Sequence, residues 1–170
     1  MDKPNPEQLK ERLTEQYDKF AAKSRELFEA SRDKSQEALN VAIEKTREQM
    51  TALGELSSEQ GKLFQEYMKR DLEQTAEEMR QLGEQAKERL HPSRVGAGAL
   101  SSLAALLQLG GDALWKMSKK ADQALTYSTG EITSAGTLTC MNCMHQLHFS
   151  KTGHIPPCPK CLKTTFKKSY

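Results

Sequence analysis

Hydrophobic side chains recur at helical spacing along the first half of the chain. Leu13, Phe20, Leu27 and Val41 stand on a seven-residue step, with Tyr17, Ser24, Ser31 and Ala38 on the companion seam. Lys34 interrupts the repeat, and from Leu39 the stripe resumes in a shifted register through Ile43, Met50 and Leu53. This period predicts one long amphipathic helix from Pro6 to about Leu53, with a seam too polar for a strong coiled coil. Asn5 can cap it, Pro6 suits its first turn, and Gln8 stands where a capping-box partner would. Gly54 ends that stretch, and Ser57 with Gln60 forms a fresh capping box. A second stripe then runs through Phe64, Met68, Leu72, Thr75, Met79, Leu82, Ala86 and Leu90, until His91-Pro92 stops it. The short connection predicts antiparallel neighbours, so residues 6–90 read as a helical hairpin.

The stretch Val95–Gly111 carries no charge, and its 17 residues touch the lower limit for a membrane span. Its apolar face does not stop there. Leu100, Leu103, Leu107, Gly110, Leu114, Met117, Ala121 and Leu125 share one helical face across charged Asp112, Lys116, Lys119, Lys120 and Asp122. A third helix over about 99–126, docked on the hairpin, accounts for the whole stripe, whereas a span accounts for half of it. Gly110-Gly111 offers a close approach or a kink within it.

Beyond Leu125 the pattern changes to glycines and β-prone residues, which predicts turns and short strands. The expected organisation is a helical part over 1–127, a linker over 128–136 and a C-terminal module over 137–170. Every cysteine lies in that module: Cys140 and Cys143 form one Cys-x-x-Cys pair, Cys158 and Cys161 another, fourteen residues apart. A two-residue gap lets one tight turn aim two sulfurs at one ion, and four thiolates complete a tetrahedral shell of the kind zinc prefers. The interval between the pairs reads as a strand, a turn at Lys151-Thr152-Gly153 and a return. The "TTF" after Cys161 reads as the third strand of a zinc ribbon. One structural zinc is the expected cofactor; rubredoxin-like iron and unmetallated thiols are the alternatives. Glycine often follows such pairs, but here Met144 and Leu162 stand in those places. His145, His148 and His154 are read as strand and turn residues, since the cysteine set is complete without them.

Composition narrows the function. Leu, Ile, Val and Phe make up 30 of 170 residues, which suits amphipathic helices better than a large enzyme core. Residues 1–90 carry 16 basic and 20 acidic side chains, whereas residues 91–170 carry 9 basic and 3 acidic. From Thr137 onward there are five lysines and no acid. No dinucleotide fingerprint, P-loop or nucleophile elbow is present, and no catalytic residue is assigned. The carboxylates are read as solvated helix-face residues paired with Lys and Arg. The N-terminus lacks the pattern of a signal peptide, and close cysteine pairs suit a reducing compartment, so the cytoplasm is expected.

The segments "YSTGEIT", "AGTLTCMNC" and "IPPCPKC", with Phe166 and the helical "KRDLE" at Lys69–Glu73, resemble the YbeL-like bacterial family of zinc-ribbon-containing proteins. That resemblance implies a helical N-terminal region joined to a C-terminal ribbon, with Cys140, Cys143, Cys158 and Cys161 as zinc ligands. It carries no activity. The expected function is a non-catalytic protein-interaction or scaffold module, with a protein partner or self-association through its helices. The alternative is nucleic-acid binding, with Lys151, Lys160, Lys163, Lys167 and Lys168 on phosphates and Phe149, Phe166 and Tyr170 available for stacking. A thiol redox factor ranks third; no membrane partner and no small-molecule substrate are expected.

Overall fold

The computed structural model describes residues 5–82, 98–115 and 125–169. Among the described residues, four helices come first: α1 (Pro6–Ala30), α2 (Gln36–Ala52), α3 (Ser58–Leu82) and α4 (Ala99–Trp115). Six short strands follow: β1 (Tyr127–Ser128), β2 (Ile132–Thr133), β3 (Gly136–Cys140), β4 (Gln146–Phe149), β5 (Gly153–His154) and β6 (Thr165–Ser169). A mainly helical body followed by a small sheet region agrees with the expected fold class.

The single helix expected from Pro6 to Leu53 is two helices. The linking residues form a double stop signal. Lys34 Nζ donates to the carbonyls of Phe28, Glu29 and Ser31, closing the end of α1, while Ser35 Oγ accepts from the Ala38 amide and starts α2. The non-helical link resets the helical phase. Tyr17, Phe20, Ser24 and Phe28 are therefore buried from α1, and Leu39, Ile43 and Met50 from α2, while Val41 and Leu53 lie exposed. Of the polar seam residues, Ser24 is buried, whereas Lys34 stays half-buried and closes the end of α1.

The Asn5 cap and the Ser57–Gln60 capping box form as expected, with Glu7 rather than Gln8 as the partner of Asn5. Asn5 Oδ1 accepts from the Glu7 amide (3.2 Å). Ser57 and Gln60 satisfy each other, each side chain accepting from the other's amide at 3.1 and 2.9 Å. Helices α2 and α3 run antiparallel: Arg47 and Thr51 crowd Gly61, where an added Cβ would meet the Arg47 stem at 3.0 Å, while Glu44 accepts from Gln65. Helix α1 packs on α2 and α4, and α3 on α2 and α4, around one core. Ala99, Leu100, Leu103, Leu106 and Leu107 of α4 are buried there, so the described part of the uncharged stretch docks on its neighbours, and the helix continues through Gly110-Gly111. Among the described residues no helix is long and apolar enough to cross a membrane. Leu90, His91, Pro92, Met117, Ala121 and Tyr170 lie outside the described residues, as do the side chains of Met79, Leu82 and Leu114.

The main sheet is antiparallel in the order β1-β6-β3-β4. "TTF" does open a strand, β6, which sits between β1 and β3. The return strand β5 pairs with β2 rather than with β4. Residues 128–136 are therefore no linker. They hold part of β1 and all of β2, and Ile132 belongs to the helical core. Tyr127, Leu138, Ile155 and Phe166 form a second core around the cysteines.

Candidate metal centre

Each cysteine pair sits on the same kind of turn. In the first, the Met144 amide donates to the Cys140 carbonyl (3.0 Å) and the Cys140 amide to the His145 carbonyl (2.8 Å). In the second, the Leu162 amide donates to the Cys158 carbonyl (2.8 Å) and the Cys158 amide to the Lys163 carbonyl (3.0 Å). The turn needs a left-handed residue after the second cysteine, and Met144 and Leu162 both take φ 59°. The departure from glycine noted in the sequence is thus a real strain, on the order of 1–2 kcal/mol per residue.

The two turns bring all four sulfurs within 4.8 Å of one another. Cys140 Sγ lies 3.6 Å from Cys161 Sγ, and Cys143 Sγ 3.6 Å from Cys158 Sγ. Four sulfurs at about 2.3 Å from a tetrahedral zinc stand about 3.8 Å apart, so the cluster has the dimensions of a zinc tetrathiolate. Electrostatics points the same way. The Lys163 amide hydrogen bond holds the Cys161 thiol down to about 6. The Cys143 thiolate is favoured by the His145 amide, but burial and the three neighbouring sulfurs outweigh that and push the group up to about 12. Four crowded thiols resist ionising together unless a cation joins them, and a divalent ion supplies that charge. The donor set fits one zinc.

The histidines stay outside the cluster. His148 Nδ1 lies 3.0 Å from Thr137 Oγ1, His154 Nδ1 lies 3.2 Å from the Gly130 carbonyl, and His145 contributes its backbone carbonyl.

The sequence reading missed a second constellation, which fixes the ribbon to the helices. Asp71 of α3 is fully buried, contrary to the solvated role given to the helical carboxylates. Its Oδ1 accepts from Tyr127 Oη (3.0 Å), and its Oδ2 from the Ser134 amide (3.1 Å) and Tyr17 Oη (3.4 Å). Lys168 of β6 is also fully buried, 3.9 Å from Asp71, and donates to Thr133 Oγ1, the Ser134 carbonyl and Ser134 Oγ. Burial lowers its pKa from the usual 10.5 to about 8, against the pull of Asp71. Arg70 lays its guanidinium 3.9 Å from the Tyr127 ring centroid, pairs with Glu131 and donates to the Ile132 carbonyl at 3.0 Å. On the other side, Asp18 of α1 accepts from the Ala99 amide (2.7 Å) and from Thr152 Oγ1 (2.6 Å), tying α1, α4 and the ribbon together. The signal available in the sequence was "KRDLE", whose adjacent Arg70 and Asp71 do not stand at the three- or four-residue spacing of a solvated helical pair.

Two residues assigned to nucleic-acid contact are therefore displaced: Lys168 lies in the clasp, and Phe166 is buried in the ribbon core. Lys151, Lys160, Lys163 and Lys167 are exposed, and Phe149 is half-buried.

No curated protein and no solved structure matches the chain. A family model described as a zinc-ribbon containing domain matches residues 26–169, which takes in most of the helical body as well as the cysteine module. With the tetracysteine cluster and its paired turns in place, the chain belongs to the zinc-ribbon containing domain family.

Proposed function

We propose that this is a non-catalytic protein-interaction or scaffold module whose zinc is structural. The observation that carries the reading is the complete sulfur set: four thiolates take every position of a tetrahedral zinc and leave none for a water or substrate. The metal then acts as a fastener. It shapes a ribbon of short strands, and the Asp71 and Asp18 clasps hold that ribbon at a fixed place on the helices. A rigid body with a long polar helical surface suits partner binding better than turnover. Free thiols paired for metal also favour a reducing compartment, and the cytoplasm is the proposed location.

Four exposed lysines in the acid-free segment from Thr137 onward support a second reading, nucleic-acid binding. In-cell crosslinking followed by denaturing purification separates the two. Defined protein adducts that survive nuclease support the scaffold. Recovery of nucleic acid crosslinked through ribbon lysines supports the alternative, and recovery of neither contradicts both.

A further inference from the structure

Large apolar side chains left in water are unevenly placed among the described residues. Leu9, Val41, Leu53, Leu63 and Leu109 are spread singly over the helical body, a scatter that is normal for a protein surface. The other three, Met141 (51% exposed), Met144 (71%) and Leu162 (76%), all belong to the two zinc turns. Those turns share one end of the ribbon. Their sulfurs converge on one site, and the Met141 amide donates to the Thr165 carbonyl (3.1 Å), which sets the first turn against the chain leaving the second. Exposed Lys160 and Lys163 complete this tip, and no acid follows Thr137. Met144 and Leu162 also hold φ 59°, where glycine or asparagine would cost less, so neither packing nor backbone preference accounts for them. Exposed apolar side chains gathered at one place mark a contact surface.

The tip is a projection, since its apolar side chains stand mostly clear of the protein, and a projection needs either a shaped hole or a fluid apolar phase. Methionine is unbranched and flexible, and the tip lacks the Trp, Tyr or Arg anchors that fill shaped protein pockets. Apolar side chains beside lysines, whose long stems let the ammonium groups stay at headgroup level, make an interfacial anchor. Charge supplies the sign. Residues 91–170 carry a net +6, still about +4 once a zinc tetrathiolate is counted at about −2, whereas residues 1–90 carry −4. An anionic surface therefore draws the ribbon and repels the helices. Nucleic acid shares that charge but offers no apolar phase for Met144 and Leu162. We propose that this tip binds an anionic phospholipid bilayer, with Met141, Met144 and Leu162 entering the headgroup boundary and Lys160 and Lys163 meeting lipid phosphates. The uncharged stretch Val95–Gly111 takes no part, because α4 is docked on the helical body. This adds a lipid surface to the scaffold reading and does not depend on it. Three apolar side chains and two lysines make the contact weak and reversible.

The test is cosedimentation of the zinc-loaded full chain with vesicles of phosphatidylcholine alone and of a phosphatidylcholine–phosphatidylserine mixture, at low and moderate salt. The wild type is expected to partition onto the mixed vesicles, less so at higher salt, and to leave phosphatidylcholine alone. Met144→Asn/Leu162→Asn keeps residues that tolerate the left-handed backbone and is expected to lower partitioning by about tenfold per side chain. Lys160→Gln/Lys163→Gln is expected to lower it by about fivefold per lysine. Both variants keep full zinc content and an unchanged helical signal. Leu53→Asn/Leu63→Asn removes the same kind of exposed side chain from the helical body and is expected to bind like wild type. A wild type that ignores the mixed vesicles, a tip variant that binds as well as wild type, or a loss shared by the helical variant overturns the proposal. Equal partitioning onto phosphatidylcholine alone also overturns it. So does a photocrosslinker at position 162 that joins a vesicle-indifferent chain to a protein or an oligonucleotide.

Discussion

Asp71 stands between two cations, Lys168 at 3.9 Å and Arg70 at 3.5 Å, and that asymmetry predicts an order of mutational costs. Asp71→Asn leaves a fully buried ammonium and a mostly buried guanidinium side by side without their shared carboxylate. Breaking a buried pair in this way costs about 3–5 kcal/mol. Lys168→Met keeps the apolar stem and leaves Asp71 paired with Arg70. The loss is then the donors to Thr133 and Ser134, about 1–3 kcal/mol. In the double variant the unpaired ammonium is gone, so it is expected to be more stable than Asp71→Asn alone. Urea unfolding of zinc-loaded proteins, followed by far-UV circular dichroism, reads all four corners of the cycle. The pH dependence adds a sign. Because Lys168 is lowered from 10.5 to about 8 in the fold, the unfolded chain holds a proton that the native chain releases between those values. The contribution of this group to stability therefore rises with pH across that window and is absent from Lys168→Met. The gap between wild type and Lys168→Met should widen from pH 7 toward pH 10. A double variant no better than Asp71→Asn, together with a gap that stays level with pH, would refute the buried clasp.

Zinc removal is expected to unfold β3, β4 and β6, and with them to withdraw Lys168, Tyr127 and Ile132 from α3. Hydrogen exchange after chelation should rise in the ribbon and also around Arg70–Gln74, and the thermal midpoint of the helical signal should fall even if its amplitude at low temperature persists. Gly98→Ala is expected to destabilise by roughly 1–3 kcal/mol, because the residue holds φ 119° and a Cβ would meet the Asp18 carboxylate at 3.3 Å; an unchanged urea midpoint contradicts it. Met144→Gly and Leu162→Gly should each stabilise the zinc-loaded ribbon by about 1 kcal/mol, measured as slower zinc loss to a competing chelator.

The metal centre was readable because its signal is local. Two Cys-x-x-Cys pairs specify two turns, and the chemistry of four thiolates specifies their partner. Helix ends were equally legible where side-chain caps are local, as at Asn5 and Ser57. The break after Ala30 was written as Lys34 and a register shift. A periodicity argument reads such a shift as a drifting seam, whereas the chain uses it to turn. The clasp was not legible because its members are spread from Tyr17 to Lys168, and its charged members each resemble a solvated residue on their own element. Only the strand order shows that β6 lies between β1 and β3, which turns the Lys168 side chain toward α3 rather than toward water.

Register links the metal to that clasp. Cys140 pairs with Phe166 and Leu138 with Lys168, so the strand that carries a zinc ligand aligns the strand that carries the buried lysine. A ribbon this small buries too little apolar surface to hold β6 unaided, and structural zinc supplies an apparent 10–16 kcal/mol in small fingers at neutral pH. Burial of Lys168 opposes docking, so part of the stabilisation by the metal is spent in placing an ammonium beside Asp71. An apolar residue at that position would leave Thr133 and Ser134 without their donor and could pack on any apolar helix face, so it would give no check on register. The charged pair, reached only when β6 is in register, makes attachment of the ribbon conditional on its being correctly folded, and thereby on zinc.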